Sequence, residues 1–285
     1  MRATTTRKGF THRQLGRIIT YALLILVTIV LVIPVIYLIS TSLKLESEYI
    51  SETLQFFPKK LQWQNYYLAL TMIDFSHYAL NSLLLAISFA TLTVMTSAMA
   101  GYGFARIPAV GRSRLFSVVV ALILIPTSIF IIPQFVLFSN LRVTNSYWPW
   151  VLWGLSASPF FIFLFRQFFL SFPVELEEAA EVDGARIFRI FLQIVLPNSY
   201  PVLATSFILA FLSVWGDWLM PLLYLADRNT TLAVKLMTAY VNPQGFPIVT
   251  PTLAASVIYI LPPVVMFFFV QKYIMQGVVT SGIKG

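Results

Sequence analysis

The residues whose types and spacing suit specific chemistry lie in one charged segment of an otherwise apolar chain. The segment spans about 173–197 and reads PVELEEAAEVDGARIFRIFLQIVLP. Carboxylates directly after Pro173 favour a helix start, because acidic side chains interact well with the positive end of a helix dipole. Gly184 permits a bend between two short helices, and Pro197 is expected to end the second helix. The sequence therefore predicts a bent, helical, extramembrane loop.

Two features of this loop suit docking to another surface. Glu178 can form a charge-assisted hydrogen bond, and the small Ala179 and Ala180 allow close approach of a partner. Beyond the bend, an apolar helical face formed by Ile187, Ile190, Phe191 and Ile194 opposes a polar face formed by Arg186, Arg189 and Gln193. The same pattern is typical of an interfacial amphipathic helix without a partner. The residue pattern alone leaves both interpretations open.

Sequence motifs for catalysis are missing. The chain has no Gly-x-x-x-x-Gly-Lys-Ser/Thr phosphate loop, no His-Glu-x-x-His and no Gly-x-Ser-x-Gly. It has no cysteine, and neither of its two histidines, His12 and His77, has the partners that metal binding or catalysis needs. We therefore expect no catalytic residue, no bound metal and no cofactor held by this chain, and we expect no ATP hydrolysis by the chain itself.

Membrane helices must position the loop. The 285 residues are 58% hydrophobic and 11% charged, whereas soluble domains are about 25% charged. Long, continuously apolar runs favour membrane-spanning helices over a barrel. Basic residues flank these runs and form no compact patch, so nucleic acid is not an expected partner. The sequence predicts an all-α membrane bundle with spans at approximately 18–42, 79–105, 115–138, 147–170, 200–225 and 251–271.

The distribution of Lys and Arg predicts the orientation of the bundle. Thirteen of the 19 basic residues lie in the N-terminal arm, the second and fourth connections and the C-terminal tail, and six lie in the other connections. Cytoplasmic connections carry the excess of positive charge, so both termini and the charged loop are expected in the cytoplasm. We expect a cytoplasmic arm over 1–17 and one six-helix domain over 18–285 that includes the loop.

The charged loop also carries a specific signature. Glu178-Ala179-Ala180, three residues, Gly184, nine residues, Ile194, one residue and Leu196-Pro197 resemble the E-A-A-x3-G-x9-I-x-L-P motif of membrane subunits of bacterial ABC importers. Other stretches, among them Ala100 through Arg106, resemble the carbohydrate-uptake branch, the maltose-type permeases. Gly216 departs from the Asn that the branch often has after the Trp. The resemblance covers nearly the whole chain.

The resemblance implies a type I ABC importer permease fold in the bacterial cytoplasmic (inner) membrane. It implies a second permease subunit, two cytoplasmic ATPase subunits that use ATP and Mg, an extracytoplasmic solute-binding protein and a sugar substrate. The ATPase would contact the loop positions that match the motif, with Glu178 facing a basic group. These coupling positions are Glu178, Ala179, Ala180, Asp183, Gly184, Ile194, Leu196 and Pro197.

The substrate pathway is less well defined by the sequence. Sugars favour aromatic stacking and hydrogen bonds, so the candidates are Asn81, Ser88, Trp215, Asp217 and Tyr224. Asp217 is the one clear carboxylate within a predicted span, and it either lines the pathway or serves the structure. Alternatives for the whole chain are an ABC permease for another solute, such as glycerol phosphate or an oligopeptide, an ion-driven secondary transporter, and a structural scaffold.

Overall fold

Helices account for nearly all of the regular structure. The computed structural model describes residues 12–51 and 55–282, so most of the predicted arm over 1–17 lies outside the described residues. Within those ranges the β-type pairing is a single bridge between Val241 and Pro247. The helices are α1 (His12–Ser42), α2 (Glu46–Ile50), α3 (Gln64–Thr71), α4 (Phe75–Arg106), α5 (Arg112–Ile123), α6 (Ile131–Asn140), α7 (Trp148–Leu155), α8 (Pro159–Ser171), α9 (Glu175–Val182), α10 (Ile187–Ile190), α11 (Leu196–Asn198), α12 (Tyr200–Trp215), α13 (Leu219–Tyr224), α14 (Leu232–Thr238) and α15 (Val249–Gly282).

Four to six helical segments are candidates for the six predicted spans. Within the described part of the chain, four continuous or nearly continuous segments are long and apolar enough to cross a membrane: Gly16–Ser42, Phe75–Arg106, Trp148–Ser171 and Val249–Tyr273. Two bent helix pairs, α5 with the segment Thr127–Asn140 and Ile187–Asn198 with α12, raise the number to six if each pair is one span. The second pair includes the end of the charged loop, whereas the predicted span over 200–225 covers α12 and α13. The bends measure 89° and 81°. The all-α, multi-span fold is confirmed.

Three of the predicted spans are interrupted in the structure. Ile125 precedes Pro126, and Ser158 precedes Pro159 in an extended conformation with φ −108° and ψ 128°. A residue before proline avoids the helical region, so α5 and α7 end before these prolines. The third break separates α12 from α13 at residues 216–218. Hydropathy recognises an apolar run but not the turn inside it.

One of the two compact units comprises residues up to Leu70 together with Tyr240–Ile258. Side-chain hydrogen bonds fix its connections. The Asn65 amide donates to the carbonyls of Ser42 and Lys44, both at 2.8 Å. The Glu46 carboxylate accepts from the backbone N–H groups of Val249 and Thr250, both at 2.9 Å, and so satisfies free donors at the start of α15.

The other unit comprises residues Thr71–Ala239 and the chain from Tyr259 onward, and α4 is its central helix. Helix α4 packs along α7, α8 and α12. A glycine allows the closest of these approaches, because a Cβ on Gly101 would lie 2.6 Å from the Cβ of Phe165. The buried core of this unit runs along α4 and continues to the charged loop, where it includes Ala180, Ile190 and Phe191.

Candidate functional site

The charged loop forms the bent pair of helices that the sequence predicts. Helix α9 begins at Glu175 and carries three glutamates in its first turn. Gly184 has φ +80°, and its N–H donates to the carbonyl of Glu181 at 2.9 Å. The N–H of Ala185 donates to the carbonyl of Ala180 at 2.9 Å. These two bonds form a Schellman motif, which ends a helix most easily with glycine in the left-handed position.

The two faces of α9 have different surroundings. Glu177 and Ala180, one turn apart, are 6% and 8% exposed and pack against the chain's own bundle. Glu178 and Ala179 are exposed, and Val182 is 88% exposed. An exposed face with a carboxylate, a small side chain and an apolar side chain suits a partner surface. Of the predicted coupling residues, Asp183 and Gly184 are also exposed, whereas Ala180 faces inward.

Glu177 anchors the inner face of α9 to the end of α4. Its Oε1 accepts from Nε of Arg106 at 2.7 Å, and its Oε2 accepts from the Tyr102 hydroxyl at 2.8 Å. Arg106 also donates through Nη2 to the carbonyl of Phe172 at 2.6 Å. Sequence reasoning missed this cluster. The available signal was spacing, since Tyr102 and Arg106 are four residues apart on one helical face and Glu177 and Ala180 are three apart.

Beyond the bend, the loop forms one continuous helical segment over Ile187–Asn198. A π-helical turn over Phe191–Val195 joins α10 to α11, and α11 extends to Asn198. Pro197 lies in the last turn of this segment, which ends one residue after it and so agrees with the expected helix end. Proline has no N–H with which to continue the helical hydrogen bonds, and the wider π turn lies just before it. The direction changes at Ser199, before α12.

The apolar face predicted beyond the bend is only partly buried. Ile190 and Phe191 are buried, Ile194 and Leu196 are half-buried, and Ile187 is exposed. The predicted polar face carries a hydrogen bond from Nε of Arg189 to Oε1 of Gln193 at 2.9 Å, two residues that both lie at the surface.

Two of the predicted pathway residues make internal contacts. Asn81 is buried, and its amide donates to the carbonyls of Arg228 and Thr230 at 3.1 and 3.0 Å. Trp215 is buried and stacks on Tyr259 with ring centroids 4.9 Å apart. Ser88 is exposed on α4. Asn81 therefore holds the connection before α14, and Trp215 joins α12 to α15.

The other two lie at either end of the short helix α13. Asp217 is half-buried, and its Oδ1 accepts from the N–H groups of Leu219 and Met220 at 2.9 and 3.2 Å. Such capping accounts for the carboxylate without a transport role. Tyr224, at the other end, is 2% exposed and packs edge-on against Trp150 and against Trp153, with ring centroids 6.1 and 5.6 Å apart.

The break between α7 and α8 is a feature that sequence reasoning missed. Ala157 has φ +58°, and Ser156 is exposed. Thr96 donates its hydroxyl to the carbonyl of Gly154 at 2.8 Å, and the hydroxyl of Ser97 accepts from the N–H of Ser158 at 3.0 Å. Non-helical backbone at membrane depth is tolerated where protein or water satisfies it. The signal was Ser156-Ala157-Ser158-Pro159 within an apolar run.

The bent apolar helices and the exposed bent loop define the general class of the protein, a multi-span helical membrane protein. The chain belongs to the family described as binding-protein-dependent transport system inner membrane component, which matches residues 94–279. That range includes the whole charged loop. The resemblance read from the loop signature is confirmed.

Individual relatives are similar over most of the chain. The arabinooligosaccharides transport system permease protein AraQ of Halalkalibacterium halodurans is 33% identical, over 91% of this chain and 93% of its own length. The diacetylchitobiose uptake system permease protein NgcG of Streptomyces coelicolor is 30% identical, over 93% of this chain and 87% of its own length. The sn-glycerol-3-phosphate transport system permease protein UgpE of Yersinia pestis is 32% identical, over 71% of this chain and 72% of its own length.

A solved structure confirms the fold class. The crystal structure of a bacterial ABC transporter involved in the import of the acidic polysaccharide alginate superposes with a TM-score of 0.80. The match covers 93% of this chain and 99% of that one at 20% identity. The chain therefore has the fold of an ABC importer permease.

Proposed function

We propose that this chain is a permease subunit of a bacterial ABC importer that takes up a carbohydrate across the cytoplasmic membrane. A second permease would complete the pathway, two cytoplasmic ATPases would use ATP and Mg, and a solute-binding protein would deliver the sugar from outside. Both termini would lie in the cytoplasm. The observation that carries the proposal is the exposed face of α9, which ends in the glycine bend at Gly184.

The coupling surface, which we define as Glu178, Ala179, Val182, Asp183 and Gly184, would sit in a groove of the ATPase. The carboxylate of Glu178 would bind a basic side chain, and Ala179 would let the two backbones approach. Val182 would bury its apolar side chain on binding. Ile194 and Leu196, which pack against the buried core, would hold the loop on the bundle, and the exposed Pro197 would set the end of the second helical segment.

The proposed pathway includes the break between α7 and α8. An exposed hydroxyl at Ser156, beside a non-helical turn, suits a wet cavity better than lipid. Ser88 is exposed on α4 and is a second candidate for this cavity. Asn81 and Trp215 would line the cavity only indirectly, because their side chains are engaged within the chain. The ring of Tyr224 is also packed within the chain, whereas its hydroxyl is buried without a hydrogen-bond partner among the described residues.

Carbohydrate is the proposed solute because the arabinooligosaccharide and diacetylchitobiose permeases are similar along nearly their whole length. The glycerol-3-phosphate permease supports an anionic solute as a second candidate. A phosphate in the pathway needs a cationic partner. Arg166 on α8 lies over the ring of Phe116, 4.0 Å from its centroid, and donates to the carbonyl of Phe104 at 3.2 Å. Arg166 is therefore engaged within the chain, and a phosphate would need its cationic partner elsewhere.

The test is to purify the chain from its native membrane in mild detergent and reconstitute the recovered complex with its binding protein. ATP-dependent uptake of an arabino-oligosaccharide, diacetylchitobiose or glycerol 3-phosphate is then measured in proteoliposomes. The proposal expects an ATPase and a second permease to co-purify, with one of the sugars taken up. A lone, monodisperse chain that moves solute down an ion gradient without ATP would contradict it.

A further inference from the structure

The loop is fastened to α4 on both sides of its glycine bend. Before the bend, Glu177 binds Tyr102 and Arg106. After the bend, Phe191 packs against the ring of Tyr102, with centroids 5.1 Å apart. The same tyrosine meets Phe169 of α8 edge-on at 5.8 Å. One side chain of α4 therefore contacts α8 and both halves of the loop.

The cluster is buried, so its polar groups depend on one another. Side chains of Glu177 and Arg106 are 8% and 17% exposed. Both Glu177 oxygens are used, one by a guanidinium and one by a hydroxyl, and Arg106 extends the cluster to the carbonyl of Phe172 just before α9. Charge-assisted bonds of this kind fix direction as well as distance.

We infer that Glu177, Tyr102 and Arg106 form a rigid joint that makes α4 move with the coupling surface. The inference rests on the proposed function. A push on the exposed face of α9 reaches α4 only if α9 cannot tilt about the Gly184 bend. The Glu177 carboxylate blocks that tilt, because it is held at two points on consecutive turns of α4. These are positioning residues, since they touch neither the ATPase nor the solute.

A substitution within the joint can distinguish a positioning role from a role in folding. Buried ion pairs contribute little net stability when both partners are present, but their geometry is specific. Tyr102→Phe removes one hydrogen bond and keeps the ring against Phe169 and Phe191. Complexes with this variant should assemble and hydrolyse ATP, yet transmit less of the ATPase motion to the membrane helices.

The experiment measures how nucleotide binding to the ATPase changes the membrane helices, and it needs no solute. The chain has no cysteine, so Ser156→Cys supplies a single thiol at the break between α7 and α8. Its labelling by a membrane-impermeant maleimide is followed on this subunit in the purified complex, with and without a non-hydrolysable ATP analogue. Tyr102→Phe and Glu177→Gln are then added. Tyr147→Phe is the matched control, because Tyr147 also donates one hydroxyl bond, to the carbonyl of Asn229 at 3.0 Å, far from the loop in sequence.

The parent complex and Tyr147→Phe should show a clear nucleotide-dependent change in labelling rate. Tyr102→Phe and Glu177→Gln should reduce that change about fivefold or more at unchanged ATPase content, which is the scale of a modest coupling energy. If both variants show the same nucleotide-dependent change in labelling rate as the parent complex, the inferred rigid joint is wrong, but the proposed function is unaffected. If no ATPase accompanies the parent chain, or nucleotide has no effect on it, both proposals fall.

Discussion

Replacement of Gly184 tests the bend, because its cost follows from geometry alone. The residue has φ +80°, and a Cβ added there would meet nothing within 4 Å. Alanine is therefore penalised only by the left-handed backbone, by about 1–2 kcal/mol. That penalty corresponds to a factor of about 5–30 in the ratio of bent to unbent loop. Asparagine tolerates this backbone better, so Gly184→Asn should lose about threefold or less.

The assay is a titration of purified ATPase onto the immobilised permease pair, with the retained ATPase measured at each concentration. Gly184→Ala should shift the titration to higher ATPase concentration, by up to about 30-fold. Gly245→Ala is the matched control, because Gly245 has φ +84° and open space around its Cβ position. It lies outside the loop, so its substitution carries the same backbone cost but should leave ATPase retention unchanged.

Two results would refute this reasoning. One is equal retention by Gly184→Ala and the parent protein, which would mean that the bend is not needed for docking. The other is a weaker Gly184→Asn than Gly184→Ala, because left-handed backbone preference would then not explain the loss.

Other predictions concern packing and the polar side chains in or near the spans. Gly101→Ala should lower the free energy of unfolding by about 1–3 kcal/mol, because its Cβ would lie 2.6 Å from the Cβ of Phe165. Gly103→Ala should be neutral or slightly stabilising, because its Cβ would meet only a side-chain carbon at 3.9 Å. Thermal unfolding in detergent compares the two variants. Asp217→Asn retains the acceptor oxygen and should preserve both stability and uptake. Asp217→Ala removes that acceptor and should lower the free energy of unfolding by about 1 kcal/mol. Loss of uptake in a stable Asp217→Asn complex would assign the carboxylate to the pathway. Asn81→Leu leaves two carbonyls without their donor and should cost about 1–3 kcal/mol in the same unfolding assay; unchanged stability would show that water replaces the amide.

The sequence predicts the loop well because its signals are local. Carboxylates at a helix start and a glycine in a left-handed position act within one or two turns, so α9 and its bend follow directly from residue order. Pro197 also acts locally, and the helical segment ends one residue after it, at Asn198. The π-helical turn just before Pro197 is what the residue pattern does not reveal.

Long-range partners account for what could not be predicted. Glu177 looks like one more surface glutamate in an acidic run, and only the packing of α9 against α4 brings it to Arg106. Asn81 and Asp217 suggest a pathway because polar groups are costly in membranes. In the structure their partners are backbone groups, of Thr230 for Asn81 and of Leu219 for Asp217. Residue type predicts the need for a partner but not the identity of that partner.

The central claim is that an ATPase binds the exposed face of α9, and neighbouring alanines test it most directly. Ala179 is exposed and Ala180 is 8% exposed. In this cysteine-free chain, Ala179→Cys or Ala180→Cys is treated with a photoactivatable thiol reagent in native membranes and then illuminated. The account predicts that Ala179→Cys captures an ATP-binding subunit and that Ala180→Cys remains unlabelled. A labelled Ala179→Cys that captures no ATP-binding protein would contradict it.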